Sequence, residues 1–285
     1  MPDSRLPEAF DSHFHLDRTI GILKLPATAS LDSVLRHILP PKEREVALVG
    51  SVAVFCDPIS YPTPDDVRNL RAQGMTVAVR LHPKNAKRTS SNDIQALRRL
   101  VKMPEVVGFG EIDLDQTTPV PEWDDQIDVL REMGRYIEKR HVVILHCRSN
   151  NQDRDFSIYR IMHHNLKQCS VPRQQKIHLH CFSGDKQAVK DWLEEYPNTY
   201  FGFTRLVDTF SSEQKEAVNY INDTRLLLET DAPYFQFRRY LPRWDSSTPA
   251  LIGLTALEVA QVRQTTWKEI LKITTANAQR HYCNK

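Results

Sequence analysis

Two histidines stand two residues apart near the start of the chain, in Asp11-Ser12-His13-Phe14-His15-Leu16. Side chains alternate along a strand, so a strand here puts Asp11, His13 and His15 on one face. Two imidazoles and a carboxylate on one buried face each need a partner. A divalent cation is one such partner, and imidazole is its common nitrogen donor. Other segments repeat the form: an apolar run that ends in a metal-type ligand. Val106-Val107-Gly108-Phe109-Gly110 ends in Glu111, Val142-Val143-Ile144-Leu145 in His146, Ile177-His178-Leu179 in His180, and Leu226-Leu227-Leu228-Glu229-Thr230 in Asp231. Six such residues exceed what one tetrahedral ion takes. They suit two metals bridged by a carboxylate, typically about 3.5–4 Å apart. The ligand types fit Zn²⁺, Mn²⁺ or Mg²⁺ alike.

The elements that must position these residues read as an alternating series. Continuous apolar runs mark strands buried on both faces. Eight lie near residues 8–15, 47–56, 75–82, 105–112, 141–147, 176–182, 199–204 and 225–231. Amphipathic stretches between them include 64–71, Asp124–Lys139, Asp155–Leu166 and Asp185–Glu195, with Thr248–Arg263 and Thr266–Tyr282 after the last strand. Strands alternating with helices predict an α/β fold, a (β/α)8 TIM barrel formed by one domain over 1–285. In such a barrel the site lies at the C-terminal strand ends, where the candidate ligands fall.

Composition narrows the function. The net charge is only +2, so a nucleic-acid partner would be held by a local basic patch. No apolar run is long enough for a membrane span. The first strand starts within about ten residues of Met1, which leaves no room for a signal peptide. Five cysteines without tight spacing argue against a disulfide framework and for a reduced, cytoplasmic or nuclear, compartment. Cys56, Cys147 and Cys181 read as small buried hydrophobes. Neither a dinucleotide fingerprint nor a P-loop is present. Nothing resembles a dimer stripe, and a monomer is expected.

Taken in order, the segments Asp11-Ser12-His13-Phe14-His15-Leu16-Asp17, Leu81-His82-Pro83, Gly110-Glu111-Ile112-Asp113-Leu114-Asp115, Ile144-Leu145-His146-Cys147-Arg148, His180-Cys181-Phe182-Ser183-Gly184 and Leu227 to Tyr234 resemble the TatD family of metal-dependent deoxyribonucleases. Asn277-Ala278 resembles the family's closing helix, and the resemblance covers nearly the whole chain. It implies a metal shell of His13, His15, Glu111, His146, His180 and Asp231. His13, His15 and Asp231 would surround one ion, His146 and His180 the other, with Glu111 bridging and Asp231 taking a proton from water. It also implies cleavage of phosphodiester bonds in DNA or RNA, exonucleolytic from the 3′ end of single strands. An aminoacyl or small-molecule ester hydrolase on the same centre is the alternative reading, and a non-catalytic nucleic-acid scaffold a third.

Two departures stand out. Asp113 replaces the family's usual glycine, and reads as an exposed loop residue or an extra cation ligand. Ser247-Thr248-Pro249 replaces the usual Asn-Glu-Pro, which bears on substrate shape. His82, Lys84, Arg148 and Arg205 are candidate phosphate contacts, since charge-assisted bonds position a backbone without reading sequence. Glu229 is expected to orient a ligand histidine, and His178 to be a satisfied core residue. Arginines 238, 239 and 243 lie among Tyr234, Phe235, Phe237, Tyr240 and Trp244. Most of these rings are expected to pack on the barrel rim, with one or two free to stack on bases.

Overall fold

The computed structural model describes residues 5–80, 90–149, 156–169 and 171–283. Eight parallel strands run β1 (Glu8–Phe14), β2 (Ala47–Phe55), β3 (Met75–Val79), β4 (Val106–Asp115), β5 (Val142–Arg148), β6 (Lys176–His180), β7 (Thr199–Phe203) and β8 (Leu226–Leu228), each beside its sequence neighbours. The ring closes by hydrogen bonds beyond β8. The Ser12 hydroxyl donates to the Leu228 carbonyl, the Asp231 N–H to the His13 carbonyl at 3.0 Å, and the His15 N–H to the Ala232 carbonyl at 2.8 Å. This is the expected (β/α)8 barrel.

The helices among the described residues are α1 (Leu16–Ile22), α2 (Leu31–Leu35), α3 (Pro64–Ala72), α4 (Ser91–Val101), α5 (Pro121–Gly134), α6 (Ser157–Gln168), α7 (Lys186–Glu195), α8 (Ser212–Tyr220), α9 (Ile252–Arg263) and α10 (Trp267–Tyr282). Their starts are chemically marked. Thr63 and Ser90 form capping boxes with Asp66 and Asp93, and Pro64 occupies the first turn of α3, where its missing N–H costs nothing. The helix expected over Asp124–Lys139 begins at Pro121 and stops at Gly134. Gly134 packs so close to Cys169 that an added Cβ would meet the thiol carbon at 2.7 Å. The helix expected over Thr248–Arg263 begins its regular turns only at Ile252, because Pro249 opens a preceding 3₁₀ turn. The eighth strand pairs over Leu226–Leu228 alone. The Glu229 N–H still donates to the Phe203 carbonyl of β7, whereas Thr230 and Asp231 bond to β1, and Asp231 takes a left-handed backbone, φ 49°.

Packing explains why one end is left for chemistry. Aliphatic and aromatic side chains of the strands and helices form a large buried core, and a second, smaller cluster that includes Phe10, Val54, Ile144, Leu227 and Tyr282. At the N-terminal end α10 plugs the barrel. The Asn277 amide donates to the Leu226 and Asp223 carbonyls at 2.9 and 2.6 Å, Phe10 stacks on Tyr282, and the Tyr282 hydroxyl contacts His178 Nδ1 at 2.6 Å. The polar ends of the strands are thereby confined to the opposite rim.

Candidate metal centre

His13 and His15 come from β1 and the residue after it, Glu111 from β4, His146 from β5, His180 from the end of β6, and Asp231 from the turn after β8. All but half-buried His146 are buried. The two oxygens of Glu111 face different partners. Oε2 lies 3.7 Å from both His13 Nε2 and His15 Nε2, while Oε1 lies 3.3 Å from His146 Nδ1 and 3.8 Å from His180 Nε2. Asp231 Oδ1 lies 3.8, 3.4 and 3.7 Å from Nε2 of His13, His15 and His180. The His13 and His180 rings stack with centroids 3.6 Å apart. The structure thus gathers all six predicted residues around one space, with Glu111 between the two histidine groups.

This packing is untenable for the protein atoms alone. Both nitrogens of His13, His146 Nδ1, His180 Nε2 and Asp231 Oδ1 are buried without a hydrogen-bond partner. An unmade bond at a buried polar atom costs about 1–3 kcal/mol, so His13 Nε2, His146 Nδ1, His180 Nε2 and Asp231 Oδ1, all unpartnered around Glu111, indicate a missing partner. Among the described residues four sets of three, His13–His15–Asp231, His13–Glu111–His180, His15–Cys56–Glu111 and His180–Cys181–Asp231, each hold one donor atom per residue within 4.8 Å of one another. Nitrogen and carboxylate donors in this arrangement fit divalent cations.

Charge balance tells the same story. Burial, and next the charge of His180, hold His13 well below the ordinary histidine range. At His15 burial is outweighed by bonds to Asp231 and Cys56, and the ring is pushed well up. Burial at His180 is likewise outweighed, by Cys181, Glu229 and Asp231. Glu111 is desolvated too, yet His180, Arg80, His146 and His13 hold it well below the usual carboxylate range. Cations would replace the protons these rings otherwise take up to balance the carboxylates.

A wired layer lies beneath. Glu229 Oε2 sits 3.0 Å from His180 Nδ1 and 3.1 Å from His178 Nε2, and Glu229 Oε1 accepts the Cys181 N–H. Glu229 therefore orients His180 as the sequence suggested, and Tyr282 holds His178 from below. Gly202 makes room for this pair: an added Cβ would meet His178 Nε2 at 2.2 Å and Glu229 Oε2 at 2.5 Å.

Three expectations change. Asp11 does not join the histidines. The β1–β2 register shifts after it, and its carboxylate accepts the Thr230 N–H at 3.0 Å, the Thr230 hydroxyl at 2.5 Å and the His13 N–H at 3.2 Å. Burial, only partly offset by those bonds, pushes Asp11 up to about 8. It is a brace between β1 and the turn that carries Asp231. Asp113 is not an exposed loop residue: it is 8% exposed and pairs with Arg80 across β3 and β4 at 2.7 Å. Arg80 itself escaped the sequence reading. The available signal was a cation directly following the apolar run Met75–Val79, opposite a carboxylate in the neighbouring strand. Cys56, read as a hydrophobe, approaches both His15 and Glu111.

His82 and Lys84 lie outside the described residues. Arg148 ends β5 with its side chain 54% exposed, 3.7 Å from Asp115. Arg205 sits 3.5 Å from Asp208 and 6.0 Å above the Phe237 ring. Among the rim aromatics Phe237 is buried and Tyr240 bonds Glu258, while Tyr234 stays 41% exposed. Tyr234 lies edge-on to His15, centroids 5.6 Å apart, and receives a bond from Arg18 at 2.9 Å. Ser247 and Thr248 are buried: the Ser247 hydroxyl donates to the Tyr234 carbonyl, and the Ser247 N–H to that of Pro233. The altered loop therefore fixes the backbone under Tyr234.

A parallel barrel with buried imidazoles and carboxylates gathered at its C-terminal mouth is the architecture of a metal-dependent hydrolase. The chain belongs to the TatD related DNase family, whose model matches residues 10–283. It is 30% identical to the human 3′-5′ RNA nuclease TATDN2 over 97% of its own length, and spans 35% of the length of that relative. It is 29% identical to the 3′-5′ ssDNA/RNA exonuclease TatD of Erwinia tasmaniensis, covering 70% of this chain and 75% of that one. The crystal structure of the TatD homologue YJJV from Escherichia coli superposes with a TM-score of 0.73 at 19% identity, over 97% and 98% of the two chains. That last likeness bears on the fold.

Proposed function

We propose that this protein is a metal-dependent phosphodiesterase that shortens single-stranded DNA or RNA from the 3′ end. The observation that carries the reading is the convergence of unpartnered buried ring nitrogens on the two faces of the Glu111 carboxylate. Two divalent cations fit this set. His13, His15 and Asp231 would hold one, His146 and His180 the other, and Glu111 would bridge. When bound, such cations neutralise phosphate oxygens and acidify water. The human and bacterial relatives described as 3′-5′ nucleases support polymer and polarity.

The chain's own groups divide the remaining work. Asp231 Oδ1, turned toward three imidazoles, accepts the proton of the attacking water. Glu229 keeps His180 in one orientation, and buried Tyr282 and His178 keep Glu229 in place. Arg148 ends β5 and Arg205 lies just past β7, where phosphate oxygens can take their N–H donors in place of Asp115 and Asp208. The Tyr234 ring, fixed by Ser247 and Arg18, offers a face for a base. Among the described residues no helix is long and apolar enough to cross a membrane, and we place the protein's action in the cytoplasm or nucleus, as a monomer.

The test is cleavage of end-labelled single-stranded DNA and RNA by the purified chain in EDTA, Mg²⁺, Mn²⁺ or Zn²⁺. A metal-dependent ladder receding from the 3′ end is the expected result. Silence on every oligonucleotide, with metal bound, would overturn the reading and point to a small ester substrate.

A further inference from the structure

We propose that Cys56 is a sulfur donor to the His13–His15 side of the metal centre, so that this ion site selects Zn²⁺ over Mg²⁺. The inference rests on the metal centre proposed above and names the cation class that it takes.

Cys56 follows β2 and is 1% exposed. Its Sγ lies 3.9 Å from Glu111 Oε2 and 3.9 Å from His15 Nδ1. Glu111 Oε2 is the same oxygen that lies 3.7 Å from His13 and from His15. His15, Cys56 and Glu111 each place a donor atom within 4.8 Å of the others. Zinc bonds of about 2.3 Å to sulfur and about 2.0–2.2 Å to nitrogen and oxygen imply donor separations of roughly 3.3–3.6 Å. The separations of Glu111 Oε2 from Cys56 Sγ and from the two Nε2 atoms need to close by only a few tenths of an ångström, while the nearer His15 nitrogen to the sulfur is Nδ1. The independent sign of a ligand is His13, whose Nε2 is fully buried, unpartnered and aimed at that same Glu111 oxygen.

Cys181 shows why position decides. It too approaches a ligand carboxylate, with Sγ 3.8 Å from Asp231 Oδ2. The histidines, however, face Asp231 Oδ1. Cys181 thus addresses the oxygen turned away from them, whereas Cys56 addresses the oxygen turned toward them. A thiolate is a soft donor that favours Zn²⁺, while Mg²⁺ prefers oxygen ligands. The bound sulfur gives up its proton to solvent as the ion enters.

Full-length protein stripped by chelator and reloaded with Co²⁺ alone tests this. The wild type and Cys181→Ser are expected to show a sulfur-to-cobalt charge-transfer band in the near ultraviolet, and Cys56→Ser to lack it. Cys56→Ser is expected to weaken Zn²⁺ binding by roughly tenfold or more while leaving Mg²⁺ affinity nearly unchanged. X-ray absorption of the zinc-loaded wild type, which needs no variant, is expected to show one sulfur neighbour at about 2.3 Å. Bound cobalt without the band, a band that survives in Cys56→Ser, or zinc with only nitrogen and oxygen neighbours would overturn the inference and leave Cys56 as a partner of the His15 ring. Failure to bind any divalent ion would overturn the metal centre along with it.

Discussion

Replacing Asp113 by Asn is expected to destabilise the protein by about 3–5 kcal/mol, the usual cost of breaking a buried ion pair from one side. The side chains of Arg80 and Asp113 are 2% and 11% exposed and meet at 2.7 Å. Nε and Nη1 of Arg80 have no hydrogen-bond partner, so Asp113 supplies the main compensation for a buried guanidinium. Two unit charges about 4 Å apart at an effective dielectric of about 20 attract by about 4 kcal/mol, which matches the range for the single change. Removing both charges together, as Arg80→Met with Asp113→Asn, removes the cost of burying either. The double variant is therefore expected to recover most of the loss, with a coupling of at least about 2 kcal/mol. The same cycle reaches the site, because Arg80 acts on Glu111. Asp113→Asn leaves an unbalanced cation beside that carboxylate and is expected to weaken divalent-metal binding, and the double variant to restore it. Urea unfolding in EDTA gives the stabilities, and calorimetric titration with Mn²⁺ gives the affinities. A single-variant loss under about 1 kcal/mol, or strictly additive effects, would refute the idea that Asp113 is there to balance Arg80.

Glu111→Ala and Asp231→Asn are each expected to lower cleavage by at least about a thousandfold with the fold retained by circular dichroism; near-normal rates in both would show that the site lies elsewhere. Arg148→Ala is expected to raise KM more than it lowers kcat, and a pure kcat loss would mean that its contact forms only in the transition state. Gly202→Ala is expected to cost about 1–3 kcal/mol by overpacking and to loosen metal retention, because the new methyl displaces Glu229 from His178 and His180; thermal melts and metal content after dialysis measure both. His281 is buried and held well below the ordinary histidine range, first by desolvation and then by the charges of His178, Lys176 and Arg225. A depressed histidine contributes stability above its unfolded value of about 6.5 and loses it as the pH falls below that point. His281→Gln is therefore expected to flatten the acid side of the stability curve by up to about 1.4 kcal/mol per pH unit, read from urea unfolding between pH 7.5 and 5.5, and an unchanged slope would count against it.

The sequence alone determined the strands and most of what they carry. Apolar runs such as Val142–Leu145 can be buried on both faces only as strands covered by helices, and their last residues then have nowhere to point but the rim. His13, His15, Glu111, His146, His180 and Asp231 were legible for that reason, as was Glu229, two residues before Asp231. What only the tertiary structure decided depends on register between strands and on the space inside the ring. Asp11 shares a strand with His13, and His15 directly follows that strand, yet a register shift in β1 turns Asp11 to Thr230. Asp113 read as a surface residue because a lone carboxylate is too costly to bury, and the partner that changes this, Arg80, lies 33 positions earlier in the chain but directly after the adjacent strand. Cys56 looked apolar by type, and only the closed barrel brings its sulfur to the Glu111 oxygen that faces the histidines. Local pattern fixes which face a side chain takes only while a strand stays regular, because that follows from backbone geometry, and the register shift after Asp11 is where it stops. Which charges and donors meet across the ring is set by packing between distant segments, and no single segment contains that information.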